Sequence, residues 1–103
     1  MAKLGYSAIP THPGEVVKDE LEARNITQKD LARALGISGS VLNEIINAKR
    51  PVTAKTALLF EAALDIPADA LMSIQMKYNL HQARENHDLS NLMTRIRQKV
   101  ALW

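Results

Sequence analysis

Cysteine is absent from all 103 residues. Disulfide frameworks, thiolate zinc sites and cysteine nucleophiles are therefore excluded. Aromatic side chains are scarce, with one Trp, two Tyr and one Phe in a chain that is 47% hydrophobic. The core must be aliphatic, which suits helices. No apolar run approaches the ~20 residues that span a bilayer, and the N-terminus shows no charged-then-apolar leader. A cytoplasmic protein with no membrane partner is expected. His12, His81 and His87 are scattered, and a spacing of six does not put the last two on one helical face, so no metal site is expected. There is no Gly-rich phosphate loop, HExxH or GxSxG, and no histidine near Ser38 or Ser40. Neither catalytic residues nor a cofactor are expected. A net charge of +2 is too small to argue for nucleic acid by itself.

The placement of charge says more. Residues 27–55 carry five basic and two acidic side chains, residues 56–88 two and five, and residues 89–103 three and none. The length allows one compact domain with a short extension. Residues 1–10 show no sustained period and read as an N-terminal arm. Residues 11–80 read as a domain of five short helices, and 81–103 as a C-terminal helical extension. Thr11, with Pro13 and Glu15 in the first turn, opens the first helix. Val16, Val17, Leu21 and Ala23 form its apolar side. Thr53 caps a fourth helix that is apolar over most of its circumference from Ala57 to Leu64, and it is expected to be centrally buried. Pro67 and Asp69 open a fifth. In the extension Leu89, Leu92, Met93, Ile96, Val100 and Trp103 line one side of a sixth helix. That stripe needs cover, from the core, a second copy or another protein.

The segment from Thr27 to Pro51 carries the sharpest pattern. Thr27 caps a short helix, with Asp30 as a weak reciprocal partner. Leu31, Ala32 and Leu35 are its apolar side, and Gly36 ends it at a position suited to positive φ. Ile37 plugs the turn, the small Ala32 lets two helices cross closely, and Ser38 caps a second helix with Leu42, Ile45 and Ile46 inward. Ser40, Asn43, Glu44 and Asn47 then fall at i, i+3, i+4 and i+7, forming one polar face. Two capped helices around a glycine corner, followed by the basic pair Lys49-Arg50, read as a helix-turn-helix, the second helix of which is expected to enter the major groove of duplex DNA; the alternative is an ordinary helical hairpin that binds nothing.

For base reading the candidates are Ser40, Val41, Asn43 and Glu44, with Ser38 and Gly39 at the helix start. Asn pairs with adenine, Glu accepts from cytosine N4, and Val packs on a thymine methyl, while Gly39 lets the backbone come close. Glu44 has two readings, a base contact or a surface acid bonded to a nearby Lys. Lys49 and Arg50 are candidate phosphate clamps, with Arg33 and Lys55 of the same kind and Asn47 at the helix exit.

Taken in order, several elements resemble the HigA family of antitoxins. They are His12-Pro13-Gly14-Glu15, the helix-turn-helix, Asn43-Glu44-Ile45-Ile46-Asn47 with Lys49-Arg50-Pro51, Thr53 to Ala63, and Leu71, Gln75, Tyr78-Asn79-Leu80. That family consists of Xre-type, lambda-repressor-like helix-turn-helix proteins, and the resemblance covers roughly residues 12–84. It implies an all-α, five-helix lambda-repressor-like bundle, here with an additional C-terminal helix. It also implies a homodimer that binds operator DNA, represses its own operon and neutralises a RelE-like mRNA endonuclease. A stand-alone repressor of the same family, with no toxin partner, is the alternative. By resemblance Gln28 hydrogen-bonds a phosphate, and Leu71, Ile74, Gln75 and Tyr78 belong to the dimer contact. Asp65 stands where members often carry glycine, which affects only a turn.

Overall fold

Nearly every helix begins on a side chain that accepts a hydrogen bond from an otherwise unpaired backbone N–H, and these caps set the boundaries. A computed structural model of the chain describes residues 10–103, so the expected arm at 1–10 lies, apart from Pro10, outside the described residues. The elements are α1 (Pro13–Arg24), α2 (Gln28–Leu35), α3 (Gly39–Ile46), α4 (Ala54–Leu64), α5 (Ala68–Arg84) and α6 (His87–Val100), with no strand among the described residues. None of these helices is long and apolar enough to cross a membrane. Thr27 Oγ1 accepts from Asp30 N at 3.1 Å, Ser38 Oγ from Val41 N at 3.1 Å, and Asn86 Oδ1 from Leu89 N at 2.9 Å. α5 starts at Pro67 with no cap of its own. Glu61 of α4 supplies it, its Oε1 accepting from Ala68 N at 2.7 Å.

Two expected caps are corrected. His12, not Thr11, caps α1: its Nδ1 accepts from Gly14 N at 2.9 Å, and its own N–H donates to Glu15 Oε2 at 3.2 Å. An imidazole reaches the same donor as a hydroxyl, and its ring is also large enough to fill a buried position. It packs edge-on against Tyr78 with ring centroids 4.8 Å apart, whereas Thr11 is exposed. Asp30 closes no capping box with Thr27, and its carboxylate lies 3.6 Å from Arg33 instead.

The core draws on every helix from α1 to α5, with Val17, Leu42, Ile45, Ala57, Phe60 and Leu71 fully inaccessible. α4 is buried along one stripe only, Ala57, Phe60 and Leu64, and Leu58 is 57% exposed. The composition of α4 overstated its burial because Ala62 and Ala63, apolar but small, lie on the open side. Ala23 is exposed too. α5 runs 17 residues to Arg84, so the expected boundary at residue 80 falls inside a helix. The left-handed positions close three helices: Asn25, Gly36 and Asp65, at φ 58°, 72° and 57°. Asp65 does here what glycine does without a side-chain penalty.

The tightest approach in the molecule brings the start of α1 onto the end of α3. A Cβ placed on Gly14 would overlap the Ile45 carbonyl oxygen and come within 2.9 Å of Ile46 Cα, all backbone atoms. Backbone cannot swing aside as a side chain can. Gly14→Ala should therefore destabilise the fold by about 3 kcal/mol, at the upper end of overpacking, read as a lower urea midpoint with unchanged m-value.

Burial holds the His12 imidazole below its ordinary value of 6.5, partly opposed by the Glu15 carboxylate. The folded chain therefore binds this proton less readily than the unfolded chain, so stability is complete above pH 6.5 and is lost as pH falls below it. Protonation also removes the Nδ1 lone pair that caps α1. Unfolding free energy should fall between pH 7 and 5.5, with a slope of at most ~1.4 kcal/mol per pH unit. His12→Asn, which keeps an acceptor but cannot titrate, should flatten that slope; an unchanged slope in the variant would assign it to other groups.

Candidate nucleic-acid interface

α2 and α3 cross around Gly36 and Ile37, leaving an open groove lined by Gln28, Arg33, Ile37, Ser40, Asn43 and Lys49 among others. The apolar stripe Leu42, Ile45 and Ile46 points into the core. Because α3 repeats every 3.6 residues, burying that stripe turns Ser40 and Asn43 outward. Two residues far apart in sequence meet at the rim: Asn43 Nδ2 donates to Gln28 Oε1 at 3.2 Å. That bond uses neither Asn43 Oδ1 nor Gln28 Nε2.

The other candidates divide. Ser40 and Gly39 are exposed at the first turn of α3, and Ser38 is spent on its cap. Val41 is half-buried against the core, so little of its side chain faces the groove. Glu44 is held by Arg50, whose Nε and Nη2 donate to its Oε1 at 3.0 and 2.7 Å. Of its two readings, the paired surface acid is the one formed, with Arg50 as the cation. Asn47 turns its amide nitrogen back to Asn43 O at 2.9 Å. Arg33 pairs loosely with Asp30. Lys49 has no ion-pair partner among the described residues and lines the groove, beside Lys29, which sequence reasoning missed. Its signal was present: a cation next to Gln28 in the first turn of the helix that opens the motif.

Leu71 and Gln75 cannot be dimer contacts themselves, because both are buried within the protomer. Gln75 Oε1 accepts from Val52 N at 2.7 Å, and its Nε2 donates to Asn79 Oδ1 at 2.8 Å. Tyr78, half-buried, lies against His12, and Ile74 is partly exposed. The Gln75-Tyr78-Asn79 element thus fastens the loop leaving α3, which carries Lys49 and Arg50, to α5. Ala48 in that loop has φ 62°, and Lys49 N donates to Glu44 O at 2.8 Å, so the chain reverses tightly there. No group of three or more His, Asp or Glu side chains among the described residues could hold a metal ion.

A five-helix core whose second and third helices present a polar groove defines a helix-turn-helix protein. The helix-turn-helix family model matches residues 17–71, and the chain belongs to that family, in its Xre type. It is 36% identical to virulence-associated protein A' of Dichelobacter nodosus over 74% of this chain and 67% of that protein. Among solved structures it is similar to the Pseudomonas aeruginosa antitoxin HigA determined with the higBA promoter. The identity is 36%, the TM-score 0.67, and the match covers 72% of this chain and 82% of that one. It is also similar to a HigA-family addiction-module antidote protein of Coxiella burnetii, at 26% identity and TM-score 0.69 over 87% and 94% of the two chains.

Gln75→Leu should leave the buried Val52 N–H unpaired and cost about 1–3 kcal/mol. Thermal unfolding against the parent measures it, and a change below ~0.5 kcal/mol would show that the loop is held by its other contacts.

Proposed function

We propose that this chain is the antitoxin of a type II toxin–antitoxin module, acting in the cytoplasm. In this reading it binds its own operator as two symmetric copies and neutralises a RelE-like mRNA endonuclease encoded beside it. The observation that carries the DNA half is the groove in which Asn43 and Gln28 meet, flanked by Lys29 and Lys49 and free of any acidic side chain that is not already paired with Arg50 or Arg33. A polar helix face with cations at its rim is what phosphate positioning and base reading require. Likeness to HigA determined with a promoter supports the same half. Likeness to the antitoxin GraA, at 28% identity and TM-score 0.75, supports the neutralising half.

In this reading Gln28 and Lys49 take phosphates, with Lys29 beside them, and Asn43 and Ser40 take base edges. Arg50 is held by the groove-lining Glu44, which lowers the net charge it presents. Lys49→Ala should weaken binding on all sequences and reduce the slope of log K against log salt by about one. Asn43→Ala should relax one base position, with a loss of about 1–3 kcal/mol on operator DNA and little on scrambled DNA. Titrations of both variants on both duplexes at several salt concentrations check the assignment; equal, sequence-blind losses would remove Asn43 from base reading. Co-expression with the adjacent gene's product tests neutralisation. A neighbour that neither binds nor kills leaves the stand-alone repressor.

A further inference from the structure

α6 is amphipathic, and of its residues only Met93 is even partly buried. Leu89, Met93, Ile96, Val100 and Trp103 recur at spacings of four, three, four and three, the heptad pattern of a helix that packs along another helix. Yet no residue of α6 is buried, Leu92, Ile96 and Val100 are 44%, 48% and 42% exposed, and Trp103 is 94% exposed. The helix stands away from the body. The radius of gyration is 17.5 Å, and the longest dimension is 57 Å against 34 and 22 Å for the others. A compact domain of this length has a radius of about 13 Å. A 14-residue helix alone in water is marginal, so this stripe needs a partner surface.

We infer that the partner is α6 of a second copy, running antiparallel. A heptad seam is complementary to itself, and an isologous pair covers both stripes at once. The exposed Leu80 and Met76 of α5 extend the apolar surface available to such a pair. Charge sets the direction. Glu85 and Asp88 stand at the start of the segment, and Arg95, Arg97 and Lys99 toward its end. Antiparallel pairing sets each acidic start against a basic end and opposes the helix dipoles, whereas parallel pairing stacks like charges. The same three cations, with no acid among residues 89–103, disfavour a basic protein as the occupant. The inference deepens the reading of a paired DNA-binding protein by naming the surface that pairs.

Sedimentation equilibrium on the full chain tests it. The parent should be dimeric, and Ile96→Glu should raise the dimer dissociation constant by about 100-fold or more, since the change falls on both sides of the dyad. Unchanged helicity and melting of the α1–α5 core would show that the variant is folded. Glu85→Lys with Asp88→Lys should loosen the dimer as well, and adding Arg97→Glu and Lys99→Glu to the same chain should restore it. A monomeric parent, an Ile96→Glu dimer as tight as the parent, or charge reversals without effect would each overturn the proposal. An Ile96→Glu protein that remains dimeric and still protects its operator would overturn this surface while leaving the paired DNA-binding reading standing. A dimer that dissociates as expected but protects no DNA would do the reverse.

Discussion

The seat of α3 depends on backbone lying against backbone. Gly14 opens α1 directly over the Ile45 carbonyl and Ile46 Cα, closer than any side chain would permit. His12, one turn-start away, caps that helix and packs on Tyr78, and Gln75 on the same face of α5 receives the Val52 N–H. The end of α3 and the loop beyond it are thus gripped from one side by the start of α1 and from the other by α5. Burial of Ile45 and Ile46 fixes the roll of the helix, and the grip fixes its height. Asn43 and Ser40 face outward as a consequence.

The electrostatics of the groove follow from which charges are already spoken for. Glu44 lies where an unpaired carboxylate would repel a phosphate, and Arg50 neutralises it through two donors to one oxygen. The pair is about half exposed, so its contribution to stability is small. Its effect is on the field: one cation is withdrawn and one anion silenced, leaving Lys49 and Lys29 as the positive edge. Of the five basic side chains in residues 27–55, two are matched by the only two acids there. The segment's excess of three therefore belongs to Lys29, Lys49 and Lys55.

Local chemistry made most of this architecture readable before any coordinates. Thr27, Ser38 and Thr53 cap where a short hydroxyl side chain precedes an apolar period, Gly36 turns where a left-handed residue is needed, and the buried stripe of α3 is spaced as a helix demands. What escaped was set by contacts between elements. Nothing in the string around His12 says that its ring will fill a cavity beside Tyr78, which lies 66 positions away. Gly14 looked like part of a helix start, and only the approach of α3 explains why a side chain is excluded there. Gln75 enters the expected dimer contact only through the family resemblance, and nothing near it in sequence points to the backbone N–H of Val52, 23 positions away, that its Oε1 accepts from. The exposure of Leu58 and the reach of α5 to Arg84 likewise depend on where the neighbouring helices stop.

The composition of the reading face bears on why α6 matters. α3 carries no arginine, so the commonest bidentate contact to guanine is missing. Val41 is packed against the core, Ser38 is used as a cap and Glu44 is paired, so in the proposed reading base edges fall to Ser40 and to Asn43, whose amide nitrogen already donates to Gln28. At about 1–3 kcal/mol per good base contact, one protomer discriminates its site by little more than a few kcal/mol. Specific operator binding typically exceeds non-specific binding by about 4–10 kcal/mol. Two copies on one duplex roughly double the readout, provided that they are joined before or as they bind, since linkage turns the second encounter into an intramolecular one. In the proposed reading a weakly reading α3 and an uncovered heptad seam answer one requirement: the sequence information lacking in a single groove would come from a second groove held at a fixed distance.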